Sequence, residues 1–358
     1  MKSKIKDVLK VNPSLKAREI AKKVGSDRKT VNSVLHKNLD IFQKEDDFRW
    51  RLTDSSSIRI ELNSNQWVDA EGFESSLSLS DSPLNSSCNE ILFVVPQECK
   101  ILLDAAARFL ALCNQLCNAE KLVTIDFSDC TSTFTYFDRI GFIDQLDVRV
   151  TVLPERPHIS KAEIYKGNSD SVVEFGTVDP NANNKTLVNQ LTNRFVEQSD
   201  SRFEAAAFTV FSEFVWNISE HSQTPINGFA ALQKYGGKRK HIQTVVSDSG
   251  LGIVETLIPA LQSHHPELYK MLGTEDFHQK LVIEVLTKGE ISRFGAGRGL
   301  GFKSSREHAS KFDARLSVRQ TDFSIAIVYK NGEIDKIETK KNLSTIQGTH
   351  ICFDFYVD

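Results

Sequence analysis

The sequence predicts a multidomain α/β protein, and three observations support that fold class. The 358 residues exceed the size of one ordinary hydrophobic core. Apolar residues make up 40% of the chain and charged residues 25%, a composition typical of globular proteins. From residue 91 onwards, strand-like apolar runs alternate with segments of helical periodicity, which is the pattern of α/β units.

Composition also limits where the chain is expected to work. No apolar run approaches the ~20 residues that cross a bilayer, and no apolar segment follows the basic N-terminus as in a secretory signal. The six cysteines are scattered, which predicts reduced thiols, and Cys113 and Cys117 lack the second pair that a zinc site needs. We therefore expect a cytoplasmic protein without a membrane partner.

Residues 1–52 predict a winged helix-turn-helix. Apolar residues recur at helical spacing in three segments, which are separated near residues 12–13 and at Gly25, and Ser26 or Asp27 can cap the third helix. Two short strands around a charged turn follow as the wing. This segment holds 14 Lys and Arg against 7 Asp and Glu, whereas the remainder is acidic, so we expect it to bind a polyanion.

The third helix and the wing carry the residues expected to meet duplex nucleic acid. The sequence RKTVNSVLH, with a Trp in the wing, resembles the recognition helix and wing of Zα domains, which bind left-handed duplexes. Asn32 and Trp50 match that pattern, whereas His36 replaces its usual Tyr and the prolines of its wing are missing. Ordinary winged-helix contacts, a Z-form preference, DNA or RNA, and protein–protein docking stay open. The candidate contacts are Lys22, Lys23, Arg28, Lys29, Asn32, His36, Lys37 and Trp50.

Residues 53–89 predict a flexible linker. Eleven of these 37 residues are Ser, and their apolar periodicity is weak. Only Trp67, Val68 and Phe73 suggest a docked patch. A tether of this kind would connect two domains without transmitting strain between them.

An α/β interaction domain is predicted over residues 90–175. Strands at 91–96, 122–128 and 148–153 alternate with helices, and residues 154–195 indicate a connector or an edge hairpin. The strand at 122–128 resembles the central strand of STAS domains. Residues 138–141 fall near the phosphorylation turn of that fold, with Arg139 in place of the acceptor serine. The resemblance implies a STAS-like domain with a protein partner; an unrelated α/β spacer is the alternative.

Four motifs follow in a fixed order in the C-terminal third. The first lies in a predicted helix over residues 203–221, where Glu213, Asn217, Glu220 and His221 share one face. An amide and a carboxylate so placed can coordinate a hard cation and activate a water or a hydroxyl. A solvated helix stripe has the same pattern and is the alternative.

The second motif is a strand that ends in a tight turn, DSGLG, at residues 248–252. Asp248 can accept a hydrogen bond from an exocyclic amine, and the glycines let the backbone approach a flat ring; a plain turn is the alternative. The third motif, residues 294–302, is rich in glycine and opens a helix, where backbone N–H groups bind phosphates, or else it is a hinge. About forty residues separate the second motif from the third and leave room for extra helices. Gly348 and Thr349, before the last strand, complete the set.

This ordered set resembles the GHKL (Bergerat-fold) ATPase superfamily over residues 190–358, and the implied fold is a Bergerat α/β sandwich. The resemblance implies ATP and Mg²⁺ as ligands, with Asn217 on the metal and Glu213 as the general base. It assigns ATP contacts to Asn217, His221, Asp248, Gly250, Gly252, Gly295, Gly297, Gly299, Leu300, Gly301 and Thr349. Lys288 and Arg298 are near these glycines in sequence and are further candidate ATP contacts at the phosphates, with plain solvation as the alternative.

We therefore expect an ATP-hydrolysing switch coupled to nucleic-acid binding, acting in regulation or in the response to foreign nucleic acid. Related Bergerat domains pair when loaded with ATP, which implies a homodimer. The E-x-x-x-N-x-x-x-H form of the first motif resembles the anti-sigma serine kinases, so a protein serine kinase is the alternative. A nucleotide sensor without turnover is the third candidate.

Overall fold

The computed structural model describes residues 1–12, 14–39, 41–52, 57–63, 67–80, 82–221, 223–237, 239–288 and 313–357, with the backbone alone at Lys10, 219–221 and Lys288. Over this part, the chain is a mixed α/β protein of two compact units. Residues 1–58 with 87–89 form the N-terminal unit, and residues 59–86 with 90–358 form the main unit.

The N-terminal unit combines helices with a small sheet. Its elements are α1 (Lys2–Val11), β1 (Leu15–Lys16), α2 (Ala17–Val24), α3 (Arg28–Lys37), β2 (Phe42–Lys44) and β3 (Arg49–Leu52). The strands form an antiparallel sheet in the order β1-β3-β2. The predicted stop at Gly25 is confirmed, since that residue ends α2 with a φ of 68°, where glycine is favoured. Asp27 caps α3 by accepting a hydrogen bond from Thr30 N at 2.9 Å.

The main unit begins with a four-stranded sheet and the helices around it. Its elements are β4 (Ser57–Glu61), β5 (Trp67–Val68), α4 (Ala70–Ser78), β6 (Glu90–Val94), β7 (Lys100–Ile101), α5 (Leu103–Asn118), β8 (Leu122–Asp126), α6 (Thr131–Arg139), α7 (Phe142–Gln145), β9 (Thr151–Leu153) and α8 (Lys161–Ile164). The sheet order is β4-β6-β8-β9, with β6, β8 and β9 parallel. The three predicted strands of this segment are confirmed as β6, β8 and β9, each shorter than expected.

A seven-stranded antiparallel sheet forms the rest of the main unit. Its elements are β10 (Val172–Val178), α9 (Lys185–Gln198), a 3₁₀ turn (Ser201–Phe203), α10 (Glu204–His221), β11 (Gly228–Tyr235), β12 (His241–Ser247), α11 (Gly252–His264), α12 (Pro266–Tyr269), α13 (Phe277–Lys288), β13 (Ala314–Gln320), β14 (Phe323–Lys330), β15 (Glu333–Lys340) and β16 (His350–Tyr356). The strand order is β10-β11-β12-β16-β13-β14-β15. Helix α10 confirms the helix predicted over residues 203–221.

Helices cover both faces of the seven-stranded sheet. On β12, Ile242 and Val246 share one core with α9, α10, α11 and α13. Side chains alternate along a strand, so Gln243 lies on the face of β12 opposite to Ile242. Gln243 accepts a hydrogen bond from Asp104 N at the start of α5 (3.0 Å). Helix α5 therefore covers this second face of the sheet. Because α5 also contacts β8, it lies between the two sheets, and nearly all of its residues are buried.

The Ser-rich segment 53–89 is not a linker where the structure describes it. It contributes β4, β5 and α4, and Phe73 and Leu77 of α4 are fully buried. The Phe73 ring lies 5.5 Å from the ring of Phe109 on α5. Two apolar side chains four residues apart are enough to bury one face of a short helix, whatever the serine content around them. The interpretation as a flexible tether is therefore wrong for these residues.

The segment 154–195 differs from both predicted alternatives. It forms α8, β10 and α9, and β10 pairs with β11, so residues 172–178 belong to the seven-stranded sheet. A register shift between Val173 and Gly176 breaks the alternation that identifies a strand in sequence. The boundary predicted between residues 175 and 190 falls within the segment that forms β10 and α9. The structure has one main unit where the sequence predicts two domains.

Within the described residues, none of the helices is long and apolar enough to span a membrane. All six cysteines are free thiols, and five of them are buried. Burial raises the pKa of Cys99 to about 12 and that of Cys117 to about 11. These thiols therefore stay protonated and pack as small core residues.

Candidate functional site

The turn after β12 and the turn before β16 lie side by side. These strands pair antiparallel with Ser247 opposite His350, and Asp248 N donates a hydrogen bond to Thr349 O at 3.0 Å. Two of the predicted motifs, residues 248–252 and Gly348 with Thr349, therefore meet at one end of the sheet.

The side chain of Asp248 is held by both turns. The residue is 6% exposed, Oδ1 accepts a hydrogen bond from Gly250 N at 2.7 Å, and Oδ2 accepts one from Thr349 N at 3.2 Å. Burial raises the pKa of this carboxyl to about 6, although the hydrogen bonds oppose the shift. A carboxylate oxygen has more than one lone pair, so this group can accept a further hydrogen bond from a ligand.

Glycine is required at two positions of these turns. Gly348 has a φ of 90°, and a Cβ there would lie 2.8 Å from the carbonyl carbon of Asp248. Gly252 has a φ of 79°, and a Cβ there would lie 2.8 Å from Oε1 of Gln320. The backbone around Asp248 can adopt this shape only because both positions lack a side chain.

Gln320, the last residue of β13, ties the two turns together. Its Oε1 accepts a hydrogen bond from Ile253 N at 2.8 Å, and its Nε2 donates one to Thr349 Oγ1 at 3.2 Å. The sequence does not point to Gln320, because a single polar side chain at the end of an apolar strand matches no motif. Only the pairing of β13 with β16 brings it to the site.

The C-terminal part of α10 approaches the same end of the sheet. A Cβ on Gly228 would lie 2.8 Å from Ile218 of α10 and 2.9 Å from Ser247 O. Asn217 precedes Ile218, and its Nδ2 is buried with no hydrogen-bond partner among the described residues. Buried polar atoms are almost always paired, so this amide beside the end of β12 indicates a place for a ligand group. Glu213, one helical turn earlier, lies on the same helix face.

Other residues of the predicted motifs lie outside the described part of the chain. They are the side chains of Glu220, His221 and Lys288 and the Gly-rich segment with Gly295, Gly297, Arg298, Gly299, Leu300 and Gly301. Ahead of that segment, α11, α12 and α13 occupy the length in which extra helices are expected. The described residues include no group of three His, Cys, Asp or Glu that could hold a metal ion. Mg²⁺ takes oxygen ligands and completes its shell with water and phosphate oxygens, so Asn217 Oδ1 is the atom of this side chain that fits such a site, whereas the unpaired Nδ2 suits an anion oxygen.

The basic residues of the N-terminal unit form an exposed surface. Val31 and Leu35 are buried and fix the inner face of α3. Exposed on α2 and α3 are Lys22, Lys23, Arg28, Lys29, His36 and Lys37, and Asn32 is half-buried. The ion pairs described in this unit join Arg49 to Asp47 and Arg51 to Glu45. The lysine and arginine charges on α2 and α3 named above are therefore uncompensated by carboxylates in the described residues.

Trp50 is buried, which corrects its predicted role as a nucleic-acid contact. The residue is 2% exposed, and its ring centre lies 4.9 Å from that of His36 in a T-shaped arrangement. Its face is not available to a ligand, because it packs in the core of the N-terminal unit. Trp50 orients the exposed His36 instead.

In the STAS resemblance, residues 138–141 fall near the phosphorylation turn, with Arg139 in place of the acceptor serine. In the structure, Asp138 and Arg139 are the last two residues of α6. Arg139 pairs with Glu174 of β10, and Asp138 Oδ1 accepts a hydrogen bond from Lys161 N at 3.0 Å. Both side chains therefore join α6 to neighbouring elements.

Comparison of the chain with protein families, with curated proteins and with solved structures gave no match. The structure brings together Asp248, Gly250, Gly252 and Thr349, with the turn of α10 that carries Asn217 beside them. These residues form a small site at one end of the seven-stranded sheet. The site offers the carboxylate of Asp248, which two hydrogen bonds hold in place, and the buried, unpaired Nδ2 of Asn217. Its two turns each depend on a glycine.

Proposed function

We propose that the main unit binds ATP with Mg²⁺ as a Bergerat-type switch, and that the N-terminal unit binds duplex nucleic acid. The observation that carries the nucleotide part is the Asp248 carboxylate, which two backbone N–H groups orient at a strand end and which can accept from one more donor. The exocyclic amine of adenine is such a donor. Gly252 lets the turn after β12 fold closely against Gln320 and Gly348. The resemblance to GHKL proteins implies that this turn lines the base.

The phosphate end of the nucleotide is assigned to the α10 side of the site. The unpaired Nδ2 of Asn217 can donate a hydrogen bond to a phosphate oxygen. The resemblance assigns Mg²⁺ to the same side chain, whose Oδ1 would hold the ion, and the ion would neutralise charge at the phosphates. Glu213 lies one helical turn away on the same face, where a carboxylate can take a proton from an attacking water or hydroxyl.

The proposal also assigns a fold type to three parts of the chain. Three helices with a small antiparallel sheet support a winged helix in the N-terminal unit. The parallel strands β6, β8 and β9 support a STAS-like layer, and the β12–β16 pair beside α10 supports a Bergerat sandwich. A protein partner for the STAS-like layer and a homodimer in the ATP-bound state stay predictions.

Two other activities fit the same site. A serine hydroxyl in place of water next to Glu213 would make the chain a protein serine kinase, and binding without turnover would make it a sensor. Incubation with γ-labelled ATP and a cell extract separates the three, because it yields free phosphate, labelled protein or unchanged nucleotide. The position of Glu213 on the Asn217 face of α10 favours turnover over a sensor.

ATP with Mg²⁺ should raise the melting temperature of the parent protein, and Asp248→Asn should abolish the shift. A ligand at 100 times its Kd stabilises the native state by ~2.7 kcal/mol. Asparagine has one acceptor oxygen for three donors, so its NH₂ group must face one of them. Asp126→Asn is the matched control, because Asp126 ends β8 and accepts from Ser128 N at 2.9 Å in a similar turn. Tight ATP binding by Asp248→Asn would contradict the assignment.

The affinity for adenosine should fall as the pH drops below about 6. Burial raises the pKa of Asp248 to about 6, and the protonated carboxyl competes with the adenine amine, so the loss approaches roughly tenfold per pH unit. Adenosine is the ligand to titrate by calorimetry, since it has no titrating phosphate. An affinity that stays constant from about pH 8 to about pH 5 would contradict the role of this carboxylate.

The effect of the same group on stability has the opposite sign. Its native pKa lies above the ordinary value of 3.8, so the native state binds the extra proton more tightly than the unfolded chain. The stabilisation from Asp248 is fully present below pH 3.8 and is lost as the pH rises through about 6. Loss of adenosine binding at low pH therefore cannot be attributed to this group unfolding the protein.

The nucleic-acid part of the proposal rests on the uncompensated charge of the N-terminal unit. Lysine and arginine side chains that face solvent without carboxylate partners bind phosphates and release counterions. Arg28 and Lys29 open α3, and His36 lies two turns later on its exposed side. This is the arrangement of a helix that can approach a duplex from its outer face.

Duplex binding by the full chain should weaken steeply with salt. If about three to five cations meet phosphates, log K against log[salt] should have a slope of roughly −3 to −4. Arg28→Glu combined with Lys29→Glu should abolish binding. Lys2→Glu with Lys4→Glu, on the exposed side of α1, changes the net charge equally and should reduce binding far less. A flat salt response, or equal losses in the two variants, would favour protein docking instead.

A further inference from the structure

A buried glutamine of α5 holds both turns of the proposed nucleotide site. Gln115 is 2% exposed. Its Nε2 donates hydrogen bonds to Ser249 Oγ and to Gln347 O, each at 2.9 Å, and its Oε1 accepts one from Gln347 N at 2.8 Å. Both amide protons and the amide oxygen are therefore engaged by the two turns.

These hydrogen bonds lie on both sides of the Asp248 carboxylate. Ser249 follows Asp248 in the first turn, and Gln347 lies two residues before Thr349, which donates to Asp248 Oδ2. Helix α5 covers the sheet face opposite α10, so Gln115 touches neither the base nor the phosphates of the proposed ligand. Any influence on the nucleotide passes through the backbone of the turns.

We propose that Gln115 is a positioning residue for adenine recognition, and that through it the α5 layer and the nucleotide site affect each other. This inference rests on the proposed function. With Gln115 bonded to both turns, their separation is fixed and Asp248 has one orientation. By linkage, a nucleotide that orders the turns strengthens the contact with α5 by the same factor by which that contact strengthens nucleotide binding.

Asn114 offers a matched comparison on the same helix. It is 9% exposed, and its amide also bridges backbone groups: Nδ2 donates to Gln145 O at 3.0 Å, and Oδ1 accepts from Asp147 N at 2.8 Å. Those partners lie between α7 and β9 and belong to neither turn of the site. If Gln115 contributed to stability alone, substitutions at 114 and 115 would have the same kind of effect.

The test compares Gln115→Met with Asn114→Leu, each of which keeps an apolar side chain of similar size and removes the hydrogen bonds. We expect Gln115→Met to weaken ATP binding by roughly 5- to 150-fold, the usual range of coupling between sites. It should also reduce the preference for ATP over ITP, which lacks the exocyclic amine. Asn114→Leu should lower the melting temperature and change neither quantity. Parent-like affinity and preference in Gln115→Met would overturn the inference.

Ser249→Ala is a milder variant that decides the question if Gln115→Met does not fold. It removes one acceptor of the Gln115 amide, so ATP binding should weaken in the same direction and the ATP preference should fall. A parent-like Ser249→Ala protein would count against the inference.

Hydrogen exchange in the parent protein tests the same link without any substitution. ATP should slow exchange across α5 as well as at residues 248–253, and Asp248→Asn should remove both effects. Protection confined to residues 248–253 would overturn the role of Gln115 while leaving the proposed function intact. A parent protein that does not bind ATP at all would overturn the proposed function, and this inference with it.

Discussion

Replacing Glu74 with glutamine should lower the free energy of unfolding by about 3–5 kcal/mol. Glu74 of α4 is 8% exposed, and its Oε1 accepts hydrogen bonds from Arg108 Nη1 at 2.9 Å and from Arg319 Nε at 3.0 Å. Both arginines are buried, and burial lowers the pKa of Arg319, a shift that Glu74 opposes. A neutral amide at position 74 leaves the two buried positive charges without the carboxylate that both of them contact.

Glu71→Gln is the matched control for this result. Glu71 lies on the same helix and is exposed, with Lys340 Nζ at 2.7 Å and Arg315 Nη2 at 3.9 Å. Exposed ion pairs contribute about 0–1 kcal/mol, so the control should change the free energy of unfolding by no more than that. Urea denaturation of the parent and both variants measures the difference, provided that their m-values agree. Equal stability of the two variants would mean that the buried ion pairs do not hold α4 to β13.

The second large effect concerns the proposed ATP turnover, which should fall by roughly 10²–10⁴-fold in Glu213→Gln. Glutamine keeps the shape of the side chain, but its amide cannot take a proton from the attacking water. ATP affinity should stay at the parent value, because Asp248 and the glycine turns are unchanged. Single-turnover phosphate release and equilibrium binding, measured on the same preparation, separate the two quantities.

Glu204→Gln, in the exposed first turn of α10, is the control and should hydrolyse ATP at the parent rate. Parent-like turnover in Glu213→Gln would move the general base elsewhere, with Glu220 and His221 the next candidates. A variant that loses affinity together with turnover would assign Glu213 to binding. If the parent labels a protein instead of releasing phosphate, the same substitution should reduce labelling by a similar factor.

The parts of the fold that the sequence predicts correctly are those with regular spacing or a glycine at a boundary. Helix α2 ends at Gly25 as expected, and β8 follows its alternating apolar run. Helix α4 could not be predicted from composition, because the serines around Phe73 and Leu77 outnumber the few residues that pack. Strand β10 could not be predicted, because the register shift between Val173 and Gly176 interrupts the alternation of apolar and polar residues by which strands are identified.

Some residues of the candidate site could be predicted from the sequence and others could not. Asp248, Gly252 and Thr349 could be predicted, since each belongs to a short motif in a fixed order. Gln320 and Gln115 could not, because their hydrogen-bond partners lie 67 and 232 residues away in the chain. A buried amide leaves no pattern in its own neighbourhood when its partners are that distant. Only the strand order and the position of α5 between the sheets identify these two residues.

The contacts of α4 and α5 span most of the polypeptide: Glu74 meets Arg319 across 245 residues, and Gln115 meets Gln347 across 232. A ribosome releases these two helices long before it has made the strands that cover them. At ~5–20 residues per second, the delay is about ten to fifty seconds. Until β11 and β12 have been made, the side of α5 that will face them has no sheet to pack against, and β16 follows later still. We therefore expect nascent chains of this protein to depend on chaperones during synthesis, even though the finished protein buries nearly all residues of the same helix.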